Sequence, residues 1–339
     1  MIILAGKKDS KLKLLYIKDI LETYSDEENV LNAGDIAQHL YELGIECERK
    51  SIYKDIDILI EYGLDIIKTS KPKTGWFIAS REFEPAELRL LSDAVQAANF
   101  ISKKKTRSLL EKTERLTSVE NAKKLRKQVF IDSRNKCNNE EIFYSISSLD
   151  EAIKNFNKVK LTYVKRKLDN KFAATNEKKE FILSPYALIW SNDHYYLVAN
   201  NEKYDNLMHL RIDRIRKVEI LAETARHFSE VSDYKTSFNC ADYVSKTFNM
   251  FSGNAQSTEL RCRIDILEDM LDRFGEKVSI KRAESGWFYI HDDLYINDGL
   301  ASWIMQFGNN IEVIYPESLR EMIAIKAKEI SEMYEINRR

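Results

Sequence analysis

The spacing of apolar residues changes character twice along this chain, and those changes limit the folds open to it. Up to about residue 130, leucines and isoleucines recur three and four residues apart, as on one face of an amphipathic helix. From Ile142 onward alternation takes over. Val159, Leu161 and Tyr163 are separated by Lys160 and Thr162, the pattern of a half-buried strand. Beyond about residue 257, short strand-like and helix-like segments follow one another. A chain of 339 residues with three such regimes is too long for one ordinary domain and reads as α+β. The expected division is 1–82, a helical connector 83–141, a strand-rich domain 142–225, a linker helix region 226–256 and a final α/β segment 257–339.

In the first region, Lys11–Tyr24 reads as a helix with Ser10 as its N-cap. A second helix follows Asn32 and stops at Gly44. A third runs from near Glu48 to Tyr62 before Gly63, burying Ile52, Ile56, Leu59 and Ile60. Two short helices joined by a tight glycine turn, with a third before them, make a helix-turn-helix. The opening turns of the third helix carry Arg49, Lys50, Ser51, Tyr53 and Lys54, side chains suited to phosphates and base edges. Leu64–Ala79 reads as a hairpin with Lys68, Lys71 and Lys73 at its tip, placed as a wing along a nucleic-acid backbone. Residues 1–82 hold 12 Lys+Arg against 15 Asp+Glu, so only the local placement of charge favours DNA here.

The connector opens with Pro85 in a first helical turn and continues an apolar stripe through Leu88, Leu91, Val95 and Ala98. Lys103–Lys127 then carries ten Lys/Arg against three Glu, the usual composition of a solvated face. Leu109, Leu110, Leu116, Leu125 and Val129 form an intermittent seam suited to packing between domains or subunits.

In the strand-rich region one helix, Leu149–Phe156, is expected before five strands. These are a strand at 159–163, Glu180–Trp190 with Pro185 at an edge or bulge, His194–Ala199, Leu207–Ile212 and Val218–Leu221. Such a set makes a small, strongly bent sheet or barrel. In the fourth strand His209 and Arg211 share a face, with Met208, Leu210 and Ile212 on the other. Together with Arg214 they suit an anion or a nucleotide, the competing arrangement being a surface pair between Asp213 and Arg214.

Composition closes several routes. The net charge of −1 advertises no global affinity for nucleic acid. Four scattered cysteines suggest neither a disulfide framework nor a zinc site, and fit a reducing cytoplasm. No run approaches a membrane span, and the N-terminus is too short for a signal sequence. Phosphate-cradling and hydrolytic motifs are absent, so neither an enzyme site nor a cofactor or metal is expected.

The segment ERKSIYKDIDILIEYGLDI, followed by a hairpin ending in glycine and an aromatic, resembles the winged helix-turn-helix of DeoR-like and YafY-like bacterial regulators. There the third helix usually opens on a serine cap, where this chain has Glu48. Tyr195-Tyr196-Leu197 resembles the Trp-Tyr-Leu triplet of WYL domains, with tyrosine for the first aromatic. Leu210-Arg211-Ile212-Asp213-Arg214-Ile215 is similar to that family's F-R-L-D-R-I. The resemblance implies an Sm-like barrel that senses a nucleotide or single-stranded nucleic acid. Its pocket would be Ser184, Tyr186, Tyr196, His209, Arg211 and Arg214, with Tyr163 and Tyr195 as weaker members. The final β-α-β-β-α-β order resembles the ferredoxin-like C-terminal extension of WYL proteins, commonly a dimer contact. The overall expectation is a cytoplasmic, homodimeric, sequence-specific transcriptional regulator, a repressor in the first instance, that binds operator DNA under effector control. The alternative is a nucleic-acid-binding accessory protein without promoter-specific regulation.

Overall fold

The computed structural model describes residues 10–128, 136–169 and 171–334. Val129, at the end of the expected apolar seam, lies outside them. Backbone contacts divide the chain into two compact units, residues 1–138 and 139–339. The whole is a mixed α+β protein with several antiparallel sheets.

The first unit begins with α1 (Ser10–Tyr24), α2 (Ala33–Glu42) and α3 (Arg49–Glu61). Helix α1 includes Ser10 as its first residue instead of being capped by it. Asn32 caps α2 reciprocally: its Oδ1 accepts from Asp35 N at 3.0 Å, while Asp35 Oδ2 accepts from Asn32 N at 3.0 Å. Glu48, by contrast, makes no side-chain cap bond to α3. Ile17, Leu21, Ile36, Leu40, Ile52 and Ile56 are essentially inaccessible and form the core with Trp76. Ile60, expected in that core, is exposed.

Strands β1 (Ile66–Thr69) and β2 (Gly75–Ile78) pair from Ile66↔Ile78 to Thr69↔Gly75. Leu31, just before the cap of α2, bridges Trp76 through two main-chain hydrogen bonds of 2.8 and 2.9 Å. This close approach explains Gly75, where a Cβ atom would collide with the Leu31 carbonyl.

Three helices complete the unit: α4 (Pro85–Ala97), α5 (Lys103–Glu114) and α6 (Val119–Gln128). The basic run is split because Ser118 interrupts it, its Oγ accepting from Asn121 N at 3.2 Å and donating to Asp26. Of the expected seam, Leu110 and Leu125 are buried, while Leu116 is exposed.

In the second unit α7 (Ile142–Lys154) starts two turns earlier than expected, because Ile142, Ser145, Leu149 and Ala152 already form its buried face. It stops before Phe156, which has φ +54°. Then come β3 (Asn157–Leu168), β4 (Ala174–Ser191), β5 (His194–Asn200), β6 (Leu207–Arg211), a 3-10 turn at Ile212–Arg214, and β7 (Ile215–Thr224). The sheet order is β6-β5-β4-β3-β7. Pro185 lies in a central strand, not at an edge. It is tolerated beside a bulge, where the register with β5 slips between Pro185 and Ala187.

The outer strands β6 and β7 are consecutive in the chain. Flat, they would lie about 19 Å apart, four spacings of about 4.8 Å. The link from Arg211 to Ile215 reaches at most about 14 Å. The sheet therefore curls strongly.

Helix α8 (Cys240–Lys246) falls in the expected linker helix region 226–256; Asn239 caps its start, and it has ended before Asn249 and Met250 take positive φ. The remainder is β8 (Asn254–Arg263), α9 (Leu267–Phe274), β9 (Ser279–Arg282), β10 (Trp287–Ile296), α10 (Asp298–Met305), β11 (Ile311–Tyr315) and α11 (Glu317–Met333). Its antiparallel sheet runs β11-β8-β10-β9, with one face buried by Leu260, Phe288, Ile290 and Val313 against the helices.

Substituting Gly75→Ala is expected to destabilise the first unit by about 1–3 kcal/mol, the usual cost of forcing extra volume into a packed contact. Chemical denaturation followed by Trp76 fluorescence checks this. An unchanged midpoint would mean that the Leu31 contact yields freely.

Candidate functional site

Two surfaces carry the chemically interesting side chains, one in each unit. On α3, Arg49, Lys50 and Lys54 are exposed, while Asp57 and Glu61 occupy its second half. The helix thus presents a cationic beginning and an anionic end. Ser51 is turned inward: its Oγ accepts from Lys13 Nζ at 2.9 Å and donates to the Glu48 carbonyl at 2.9 Å. Lys13 also pairs with Asp55 at 2.7 Å, so Ser51 belongs to the α1–α3 contact and not to the exposed surface expected for it.

Tyr53, half exposed, meets Trp76 edge-on with centroids 4.9 Å apart. Lys68 lies 5.9 and 5.7 Å from these two rings. It is in β1, at the junction of helix and hairpin instead of the tip. Lys71 is exposed in the turn. Lys73 bonds Asp35 at 2.6 Å and so ties the turn to the cap of α2. Burial opposes ionisation of Asp35, yet the bond from Lys73 and its own capping bond hold its pKa below the ordinary value.

The eight expected ligand residues of the second unit do not form one cluster. Four do lie together: Tyr196 is the cross-strand partner of Arg211, Tyr163 pairs in register with Ile215, and Arg214 sits in the intervening 3-10 turn. Arg211 makes a two-point bond to Asp213, Nε–H and Nη2–H donating over 3.0 and 2.8 Å. The expected Asp213–Arg214 pair is thus replaced by Arg211–Asp213. Three of the five guanidinium N–H groups are left over by that bond. Among the described residues Arg214 makes no ion pair.

Burial raises the pKa of Tyr196, with the field of Arg211 acting against it. His194, two residues before Tyr196 on the same face, belongs to this group. Its ring centroid lies 6.2 Å from that of Tyr196, and burial and Arg211 lower its pKa. Strand alternation alone would have placed it there. Tyr195 points to the opposite face, with Leu197 and Trp190.

The other three are engaged elsewhere. Ser184 Oγ accepts from Arg226 N at 2.9 Å, and Tyr186 Oη donates to the Arg226 carbonyl at 2.9 Å. Together they pin the chain after β7 to β4. Burial pushes the Tyr186 phenol up to about 12. His209 does share a strand face with Arg211, but that part of the face is covered, not open. His209 Nε2 lies 2.8 Å from Tyr243 Oη of α8, within an aromatic group that includes Phe238, Tyr234 and Tyr295. A small cleft of about 210 Å³ beside it is lined by Tyr243, Tyr295, Asp205, Asn206 and Asn254. None of the eight residues lines it.

Tyr163 is buried, so what the group offers a ligand is the guanidinium donors of Arg211 and Arg214 beside the partly exposed Tyr196 ring, the combination that holds a phosphate and an attached base.

Residues 145–220 match the WYL domain family, and residues 256–331 match the WCX domain. The chain therefore contains a WYL domain and a WCX domain. No curated protein matches it in sequence. Among solved structures, proteasome accessory factor B/C of Arthrobacter aurescens is 15% identical, with a TM-score of 0.26. The alignment covers 97% of this chain and 50% of that one, so this chain spans half its length. A CRISPR Cas-related protein is 14% identical with a TM-score of 0.36, covering 98% and 88%. At such scores the domain matches, and not the superpositions, carry the assignment. No described helix is long and apolar enough to cross a membrane.

Burial lowers the pKa of His209 from 6.5 to about 4. The folded state therefore favours the neutral ring. The stabilisation is complete above pH about 6.5 and is lost as pH falls toward 4. Between pH 7 and 5 this group is expected to cost about 2 kcal/mol. Urea denaturation at the two pH values should show that loss reduced by a similar amount in His209→Gln, and equal pH dependence in both proteins would refute a buried neutral histidine.

Proposed function

We propose that this protein is a sequence-specific transcriptional regulator and not an enzyme. In this reading residues 1–82 form a winged helix-turn-helix, with α3 as recognition helix and β1–β2 as wing. The curled sheet of residues 142–225 is an Sm-like sensor barrel. The segment 257–339, whose strands run in the order fourth-first-third-second, is a ferredoxin-like dimer module. The single observation that carries the reading is the placement of exposed Arg49, Lys50 and Lys54 on the first half of α3, with Lys71 on the adjoining hairpin. A helix entering the major groove presents its N-terminal residues to base edges, while the wing lies along the backbone.

One such helix reads a half-site, so a homodimer on a palindromic operator follows. The effector is a nucleotide or single-stranded nucleic acid held by Arg211 and Arg214 with Tyr196. It acts by favouring one dimer geometry over another, and repression of the target is the simplest output.

Fluorescence anisotropy with the protein's own promoter and with random duplex, across a range of salt, tests the DNA reading. Promoter DNA should bind at least about a thousandfold more tightly than random duplex. Arg49→Ala should cost about 1–3 kcal/mol and relax sequence preference, whereas Lys71→Ala should flatten the salt dependence by about one unit. Equal affinity for promoter and random duplex would leave only a non-specific binder. For the sensor, Arg211→Ala with Arg214→Ala should abolish nucleotide and oligonucleotide binding, and retained affinity would remove the effector from this group.

A further inference from the structure

Beyond Tyr163, β3 leaves the curled sheet. Tyr163↔Ile215 is its last pair with β7, and β5 joins β4 only from Ser184. Residues 164–168 and 174–178 therefore pair with each other alone, from Val164↔Lys178 to Leu168↔Ala174. They form a two-stranded arm about 17 Å long that projects from the sheet.

This arm differs from the rest of a nearly neutral chain. It carries Lys165, Arg166, Lys167, Lys171 and Lys178 against two carboxylates, Asp169 and Glu177. Asp169 is occupied by its own turn, accepting from Lys171 N at 2.8 Å and Ala173 N at 2.9 Å. Glu177 lies 3.9 Å from Lys179, which pairs with Tyr163 at the root of the arm. Among the described residues the arm's five cations make no ion pair. At the far end two apolar side chains stand in solvent, Leu168 at 64% and Phe172 at 85% exposure. An isolated ribbon has no core to which such residues can contribute.

We infer that the β3–β4 arm binds a single-stranded nucleic acid, its cations along the phosphates and the Phe172 ring against an unpaired base. The inference rests on the reading of the sensor given above and narrows its effector from a nucleotide to an oligomer. Three observations select this occupant. The excess of unpaired cations calls for a polyanion and repels an identical arm of a second copy. An exposed aromatic ring stacks on a base only where that base is free of a duplex. The root of the arm is Tyr163, in the same group as Tyr196, Arg211 and Arg214, so one strand can run from that group onto the arm without leaving positive charge.

Anisotropy with a labelled twelve-residue oligothymidine, compared with thymidine monophosphate, tests the inference. Two variants of the full chain suffice, Lys165→Ser/Arg166→Ser/Lys167→Ser and Phe172→Ser. At about 0.1 M salt each should weaken the oligomer at least about tenfold while leaving the monophosphate unaffected. The triple variant should also flatten the plot of log affinity against log salt by about 2, roughly 0.7 for each phosphate no longer neutralised. Wild-type affinity in both variants, with loss of the oligomer in Arg211→Ala/Arg214→Ala, would overturn the arm and leave the sensor reading standing. Failure of the wild type to bind either ligand would overturn the sensor reading itself. Loss confined to random duplex, or a changed oligomeric state at unchanged affinity, would show that the arm serves duplex DNA or a second copy and would overturn the inference.

Discussion

The geometry of the second unit depends on one short connection. Ile212–Arg214 joins the two outer strands of a five-stranded sheet and is too short to span it flat. Ile212 and Ile215, on either side of the turn, are completely buried. Asn139 Nδ2 donates to the Ile215 carbonyl at 3.0 Å, and Arg216 Nη1 donates to the Asp213 carbonyl at 2.7 Å. The turn is thus fixed by apolar burial on one side and main-chain hydrogen bonds on the other. The curl brings the two outer strands toward each other without pairing them, so β6 and β7 remain the edges of the sheet. Arg211 and Arg214 lie at this connection, so the same constraint that curls the sheet assembles the cationic group.

Much of this was legible in the amino-acid order. Asn32, Gly44 and Gly63 marked helix ends that the structure keeps, and alternation identified β3, β5 and β6. Boundaries failed where tertiary partners decide them. Helix α7 reaches back to Ile142 because that side chain finds a buried place, and β4 extends to Ala174 because it pairs with the arm of β3. Neither partner is visible locally.

The candidate site was legible in its arginines and obscure in its neutral polar residues. Serine, tyrosine and histidine serve either to satisfy buried backbone or to meet a ligand, and their spacing does not separate the two roles. Ser184 and Tyr186 hold the main chain of Arg226, while His209 is matched to Tyr243 from an element more than thirty residues away. The Arg211–Asp213 bond, two residues apart, was missed for a different reason. The expected strand ended at Ile212, so nothing local placed Asp213 back toward Arg211, and it is the 3-10 turn that does so.

The hydrogen bonds between Leu31 and Trp76 have a mechanical corollary. Leu31 adjoins the cap of α2, Trp76 touches Tyr53 of α3, and Lys73 in the hairpin turn is bound to Asp35 of α2. Hairpin and helices are thereby cross-braced at three points and cannot hinge independently. A shift of the hairpin against the helices would have to break main-chain hydrogen bonds, a ring contact and an ion pair together.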